Sequence, residues 1–127
     1  MKLIKLIAAR VVISQCAKEK LPAQVAYKFV KFLKATDNDE IFYNEKLKGI
    51  LSQYAKKDAN GNFVHDGNGI ALIPETAEAC KQEIYELDNT VIEMPATFTI
   101  DEFSGLSLSM TDILALESLL IEEKTDG

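Results

Sequence analysis

Histidine occurs once in these 127 residues, at His65, and cysteine twice, at Cys16 and Cys80. A Ser-His-Asp or Cys-His nucleophilic site has to use that histidine, because a base must take the proton from the nucleophile. His65 lies between two polar turns with neither cysteine near it in sequence, so it reads as a solvent-facing hairpin residue. Two Cys and one His at these spacings do not form a zinc site without a carboxylate to complete it. Asp58, Asn60 and Asn62 match the opening of a calcium-binding EF-hand loop. That loop needs Gly at its sixth position and a bidentate Glu at its twelfth, where this chain has Phe63 and Gly69. A polar, helix-ending turn is the better reading. No glycine pattern for phosphate binding is present, and Glu83 and Glu86 fall off the apolar seam of their helix, as a solvated pair. No catalytic residue, cofactor or metal ligand is assigned, and the chain reads as non-enzymatic.

The remaining chemistry is charge. Residues 1–57 hold twelve Lys or Arg against five acids, and residues 58–127 hold two Lys against fifteen. Lys28, Lys31 and Lys34 recur every three residues on one helical face, with Phe29 and Phe32 between them. As a functional feature this is a candidate partner-binding face that would meet phosphates. As a structural one, the lysines answer the acids of the second half or are simply solvated. The overall charge of −6 and the absence of a nucleic-acid-binding motif favour the structural reading.

These residues are positioned by one domain covering residues 1–127, helical and basic to residue 57 and acidic beyond it. The composition, 47% hydrophobic and 27% charged, is that of a globular chain and not a disordered one. Lys5 and Arg10 interrupt the apolar run of the first sixteen residues, which argues against a secretion signal, and no stretch has the length of a membrane span. An intracellular location is expected, with Cys16 and Cys80 as buried thiols and not a disulfide.

A first helix is expected from about Ile4 to Ala17, with Ile4, Ile7, Ala8, Val11 and Val12 as its apolar stripe and Lys5 and Arg10 off it. Pro22 starts a second, long helix reaching about Lys57. Within it, Thr36-Asp37-Asn38-Asp39 consists of poor helix formers, leaving open a kink or break. Residues 63–65 and 70–73 are expected to form a β-hairpin between strong turn signals. A helix then begins at Pro74 and runs to about Asn89, with a seam of Ala77, Cys80, Ile84 and Leu87. It folds back on the second helix as an antiparallel hairpin, Tyr54 near Ala77 and Leu47 near Ile84. Residues 97–100, Thr-Phe-Thr-Ile, have strand composition. Ser109 and Asp112 form a capping box for a leucine-rich last helix, and residues 122–127 read as a frayed tail. The fold class is therefore α+β, mostly helical: an antiparallel helical hairpin with a β-hairpin near its tip and a small sheet. Phe29, Phe32, Leu33, Ile41 and Phe42 exceed what one narrow stripe hides, so the long helix either enters a core on several sides or meets another subunit.

The stretch Lys20-Leu-Pro-Ala-Gln-Val-Ala-Tyr27 resembles the Lys-Leu-Pro-x-x-x-x-Tyr helix of a group of small proteins of tailed phages and prophages. The order of the later elements also resembles that group over nearly the whole chain: the polar turn Lys57-Asp58-Ala-Asn-Gly61, the acidic-apolar Leu87-Asp-Asn-Thr-Val-Ile-Glu93, and the leucine-rich Ile113-Leu-Ala-Leu116. The resemblance carries no catalytic residues. It implies a phage or prophage protein made in the bacterial cytoplasm and acting by binding another protein, in particle assembly or against a host or defence factor. Association with a second copy of itself is a further expected contact, and a nucleic-acid accessory role through Lys28, Lys31 and Lys34 is the alternative. Neither membrane nor cofactor enters this reading.

Overall fold

Pro22, extended at ψ 141, separates the first two helices, α1 (Leu3–Cys16) and α2 (Ala23–Tyr54). The computed structural model describes residues 1–67 and 69–121, so the tail expected at 122–127 lies outside the described residues. α2 passes through Thr36 and Asp37 without a break, because the Thr36 hydroxyl donates to Phe32 O one turn back, a bond that a helix accommodates, and Asp37 is engaged by a neighbour described below. It ends at Tyr54, three residues before the expected Lys57. Ala55 turns extended (φ −78, ψ 144), and residues 55–57 leave the helix for the β layer.

That layer is a hairpin of β1 (His65–Asp66) and β2 (Gly69–Ile70), with His65 opposite Ile70. Its strands are shorter than the sequence implies. The flanking backbone closes a three-way ring instead: Lys56 N–H donates to Ala71 O (2.9 Å), Ala71 N–H to Val64 O (2.8 Å), and Val64 N–H to Lys56 O (2.9 Å). Three segments thus satisfy one another where a two-stranded ladder would leave edges unpaired. The preceding turn is held by the Asp58 carboxylate, which accepts the N–H groups of Asn60 and Asn62 (2.9 and 3.0 Å). Gly61 supplies the positive φ that this turn needs.

A 3₁₀ turn at Pro74–Thr76 leads into α3 (Ala77–Asp88), which packs antiparallel on α2. The Tyr43 hydroxyl donates to Asp88 (2.7 Å), and at the other end of the pair Ile73 N–H donates to Tyr54 O (2.9 Å). Cys80 and Leu87 are buried on the seam. The fold is thus α+β and mostly helical, with the β-hairpin between the end of α2 and the start of α3.

α1 lies at the centre, packed on α2, α3 and α4 (Met110–Leu116). Its buried residues are Leu3, Leu6, Ala9, Arg10, Val12, Ile13 and Cys16, whereas Val11 is exposed and Ile4, Ile7 and Ala8 are only half-buried. The expected stripe has the wrong phase. A helix apolar on nearly every face gives periodicity no direction, and partners on several sides then choose the buried one.

Residues 97–100 do not form a strand of the small sheet. Phe98 makes one isolated parallel bridge to Leu120, and Ile100–Phe103 is a 3₁₀ helix opened by a Thr99–Glu102 capping box. Phe98 instead fills the core, its ring 5.6 Å from Phe29 and 5.5 Å from Phe32. Edge-to-face aromatic contacts of this kind add to simple burial. The Ser109–Asp112 capping box forms as expected: Asp112 N–H donates to Ser109 Oγ and Ser109 N–H to Asp112 Oδ2, both at 3.1 Å. Among the described residues, no helix is long and apolar enough to cross a membrane.

Candidate functional site

The basic face of α2 divides. Lys28 is half-buried, and its ammonium donates to Thr97 O (2.7 Å) and Glu102 (2.8 Å) while lying 4.5 Å from the centroid of Phe98. Burial acts to raise the Glu102 pKa. The hydrogen bonds from Lys28 and from Thr99 N–H outweigh that effect and hold it below the ordinary carboxyl value. Lys28 is therefore a strut between α2 and the 3₁₀ helix at Ile100–Phe103. Lys31 and Lys34 are exposed and form no ion pair among the described residues.

The middle of α2 holds the contact that sequence reasoning missed. Arg10, only 5% exposed, projects from α1. It donates through Nη1 to Leu33 O (2.7 Å) and to Thr36 Oγ1, through Nη2 to Asp37 (2.8 Å) and through Nε to Glu40 (2.8 Å). The planar guanidinium presents several donors in a fixed fork and suits such a site better than an ammonium. One signal was available: Arg10 is the sole arginine in a chain whose other cations are all lysine.

Groups that could do chemistry are dispersed. His65 is exposed in β1. Cys16 and Cys80 are buried free thiols. Burial first, then the charges of Asp112 and Glu19, push the Cys16 thiol up, which keeps it protonated and poorly nucleophilic. It borders a cleft of about 700 Å³ shared with Val12, Gln15, Lys20, Leu106 and Asp112. Glu83 is not part of a solvated pair as expected. It is half-buried, its Oε2 lacks a hydrogen-bond partner, and the carboxylate's proximity to the Tyr54 hydroxyl raises the tyrosine pKa. The reason is helical geometry: side chains lean toward their own N-terminus, so Tyr54 and Glu83 on antiparallel helices lean toward each other. Glu86 is exposed. Among the described residues, no group of three or more His, Cys, Asp or Glu could hold a metal ion.

What the surface does offer is apolar. On α4, Met110 is 80% exposed, with Ile113 and Leu114 on the same face, while Leu116 and, just beyond it, Leu119 are buried. On α2, Tyr27 is 69% exposed, with Val30, Ile41 and Phe42 also open. Compared with known proteins, the chain matches no family model, no curated protein and no solved structure.

Proposed function

We propose that this chain is a non-enzymatic binding protein that docks another protein on the outer face of α4. The observation that carries the reading is the Met110, Ile113 and Leu114 face. These are apolar side chains at helical spacing, open to solvent on a helix whose other side is rooted in the core by Leu116. Large apolar groups gathered on one exposed face favour a macromolecular contact over solvent. The resemblance to small phage and prophage proteins supports a setting in the bacterial cytoplasm, as an accessory to particle assembly or as a blocker of a host or defence factor.

The alternative is nucleic-acid binding through the α2 lysines. Lys31 and Lys34 are exposed and without ion pairs among the described residues, but Lys28 is committed to Glu102. Two lysines give a weak contact with a shallow salt dependence, since the slope scales with the number of phosphates neutralised. Affinity capture from infected or lysogenic cells separates the readings. The protein-binding reading expects a specific partner that is lost with Met110→Glu/Leu114→Glu and kept with Lys31→Glu/Lys34→Glu. Salt-sensitive retention on DNA or RNA, lost only with the lysine reversals, would replace it with the alternative.

A further inference from the structure

We propose that the outer face of α2 is a self-association surface, on which a second copy of this chain packs antiparallel about a two-fold axis at the level of Thr36. Tyr27, Val30, Lys34, Asn38, Ile41 and Glu45 recur at helical spacing on the side opposite buried Phe29, Phe32, Thr36 and Tyr43, and all six are exposed. Lys31 and Phe42 form one edge of this stripe, and both are exposed too.

The order of these residues selects the occupant. Apolar side chains lie toward both ends of the stripe, Tyr27 and Val30 at one and Ile41 and Phe42 at the other with Glu45 beyond them, and the cations Lys31 and Lys34 lie between on the N-terminal side. A parallel pairing sets Lys31 and Lys34 against their own copies, which like charge disfavours. The antiparallel two-fold pairing reverses one stripe on the other. Val30 then meets Ile41 of the second copy, Lys34 meets Asp37, Lys31 lies over the Phe42 ring, and Tyr27 reaches Glu45. Each contact occurs twice because the interface is isologous. Asp37 gives one oxygen to Arg10 and is 61% exposed, leaving its other oxygen to receive Lys34. Lysine over an aromatic face is a favourable contact in its own right.

The stripe from Tyr27 to Glu45 is about 27 Å long at the rise of an α-helix. One helix on one helix lies at the small end of specific interfaces, below about 800 Å² per partner. The dimer is accordingly a concentration-dependent one. This contact is separate from the α4 face, so either can fail without the other.

Sedimentation equilibrium of the purified full chain tests it. The weight-average mass is expected to rise from 14.1 kDa toward twice that value with concentration. Ile41→Glu is expected to weaken the association about a hundredfold, since symmetry makes one substitution count twice, with an unchanged circular dichroism spectrum. Orientation is read by oxidising single-cysteine variants in a Cys16→Ala/Cys80→Ser background that keeps the wild-type spectrum. Lys34→Cys mixed with Asn38→Cys is expected to give covalent heterodimers in excess of either homodimer. A mass that stays monomeric at millimolar concentration overturns the proposal, as do covalent dimers of Lys34→Cys alone in excess, the mark of a parallel pair.

Discussion

Replacing Arg10 probes how the two basic-half helices are joined, and the outcome depends on which of its contacts water can restore. Asp37 and Glu40 are 61% and 41% exposed at their side chains, so each carboxylate regains hydration when the guanidinium goes. Thr36 Oγ1 keeps its bond to Phe32 O (2.8 Å). The uncompensated loss is thus the space and packing of a buried side chain. Arg10→Ala is expected to cost about 3 kcal/mol, within the range for large-to-small buried substitutions. Arg10→Met refills the space without burying a charge and is expected to cost about 1 kcal/mol. Arg10→Lys keeps the charge but loses the fork and buries a more strongly hydrated ion, for about 2 kcal/mol or more. The diagnostic is the order, with Lys worse than Met. In urea unfolding followed by circular dichroism, a 2 kcal/mol loss moves the midpoint by about 1 M at a slope of about 2 kcal/mol/M. An Arg10→Lys midpoint equal to wild type would refute the argument that fork geometry, and not charge, makes this joint.

Burial and the hydrogen bond to Asp88 raise the Tyr43 pKa from 10.0 to about 12. The folded state holds that proton more tightly, so the associated stability is full below pH 10.0 and is lost as pH rises toward about 12; Tyr43→Phe is expected to remove that step from an ultraviolet titration of tyrosinate. Glu102 has the opposite sign. Its lowered pKa gives stability that is present above the ordinary value of 4.5 and lost as pH falls through the folded pKa, so the deficit of Glu102→Gln in urea unfolding is expected to shrink in acid. Ser109→Ala removes the α4 cap and is expected to cost about 1 kcal/mol, with Ser109→Gly losing only a few tenths. Thermal unfolding of the two variants checks that ranking.

Local chemistry was legible in the sequence wherever a residue type admits few backbone states. Pro22 set the joint between α1 and α2, Asp58 and Gly61 closed their turn, and Ser109 with Asp112 capped α4. The helical hairpin was legible too, because the seam of α3 and the length of its connection fixed a register that Tyr43 and Asp88 occupy. What depended on partners was not. The buried face of α1 is chosen by three neighbours, and its apolar residues run all the way round. Thr36 and Asp37 read as weak helix formers until Arg10, a distant residue, engages them. Phe98 looked like a strand residue because aromatics suit strands, but the Phe29, Phe32 and Phe103 rings take it into the core. Of the candidate lysines, the sequence placed all three on one face and could not see that Glu102 lies over one of them. The α4 surface was not legible, because a leucine-rich run does not say which side faces in: Leu116 and Leu119 are buried and Leu114 is exposed.

The most direct test of binding through α4 is site-specific photo-crosslinking in cells, with the reactive side chain placed at Leu114 or, separately, at Lys34. A protein adduct at position 114, of one defined mass and absent when Met110→Glu is added, is the result expected. Nucleic-acid adducts at position 34 with none at position 114 would contradict it.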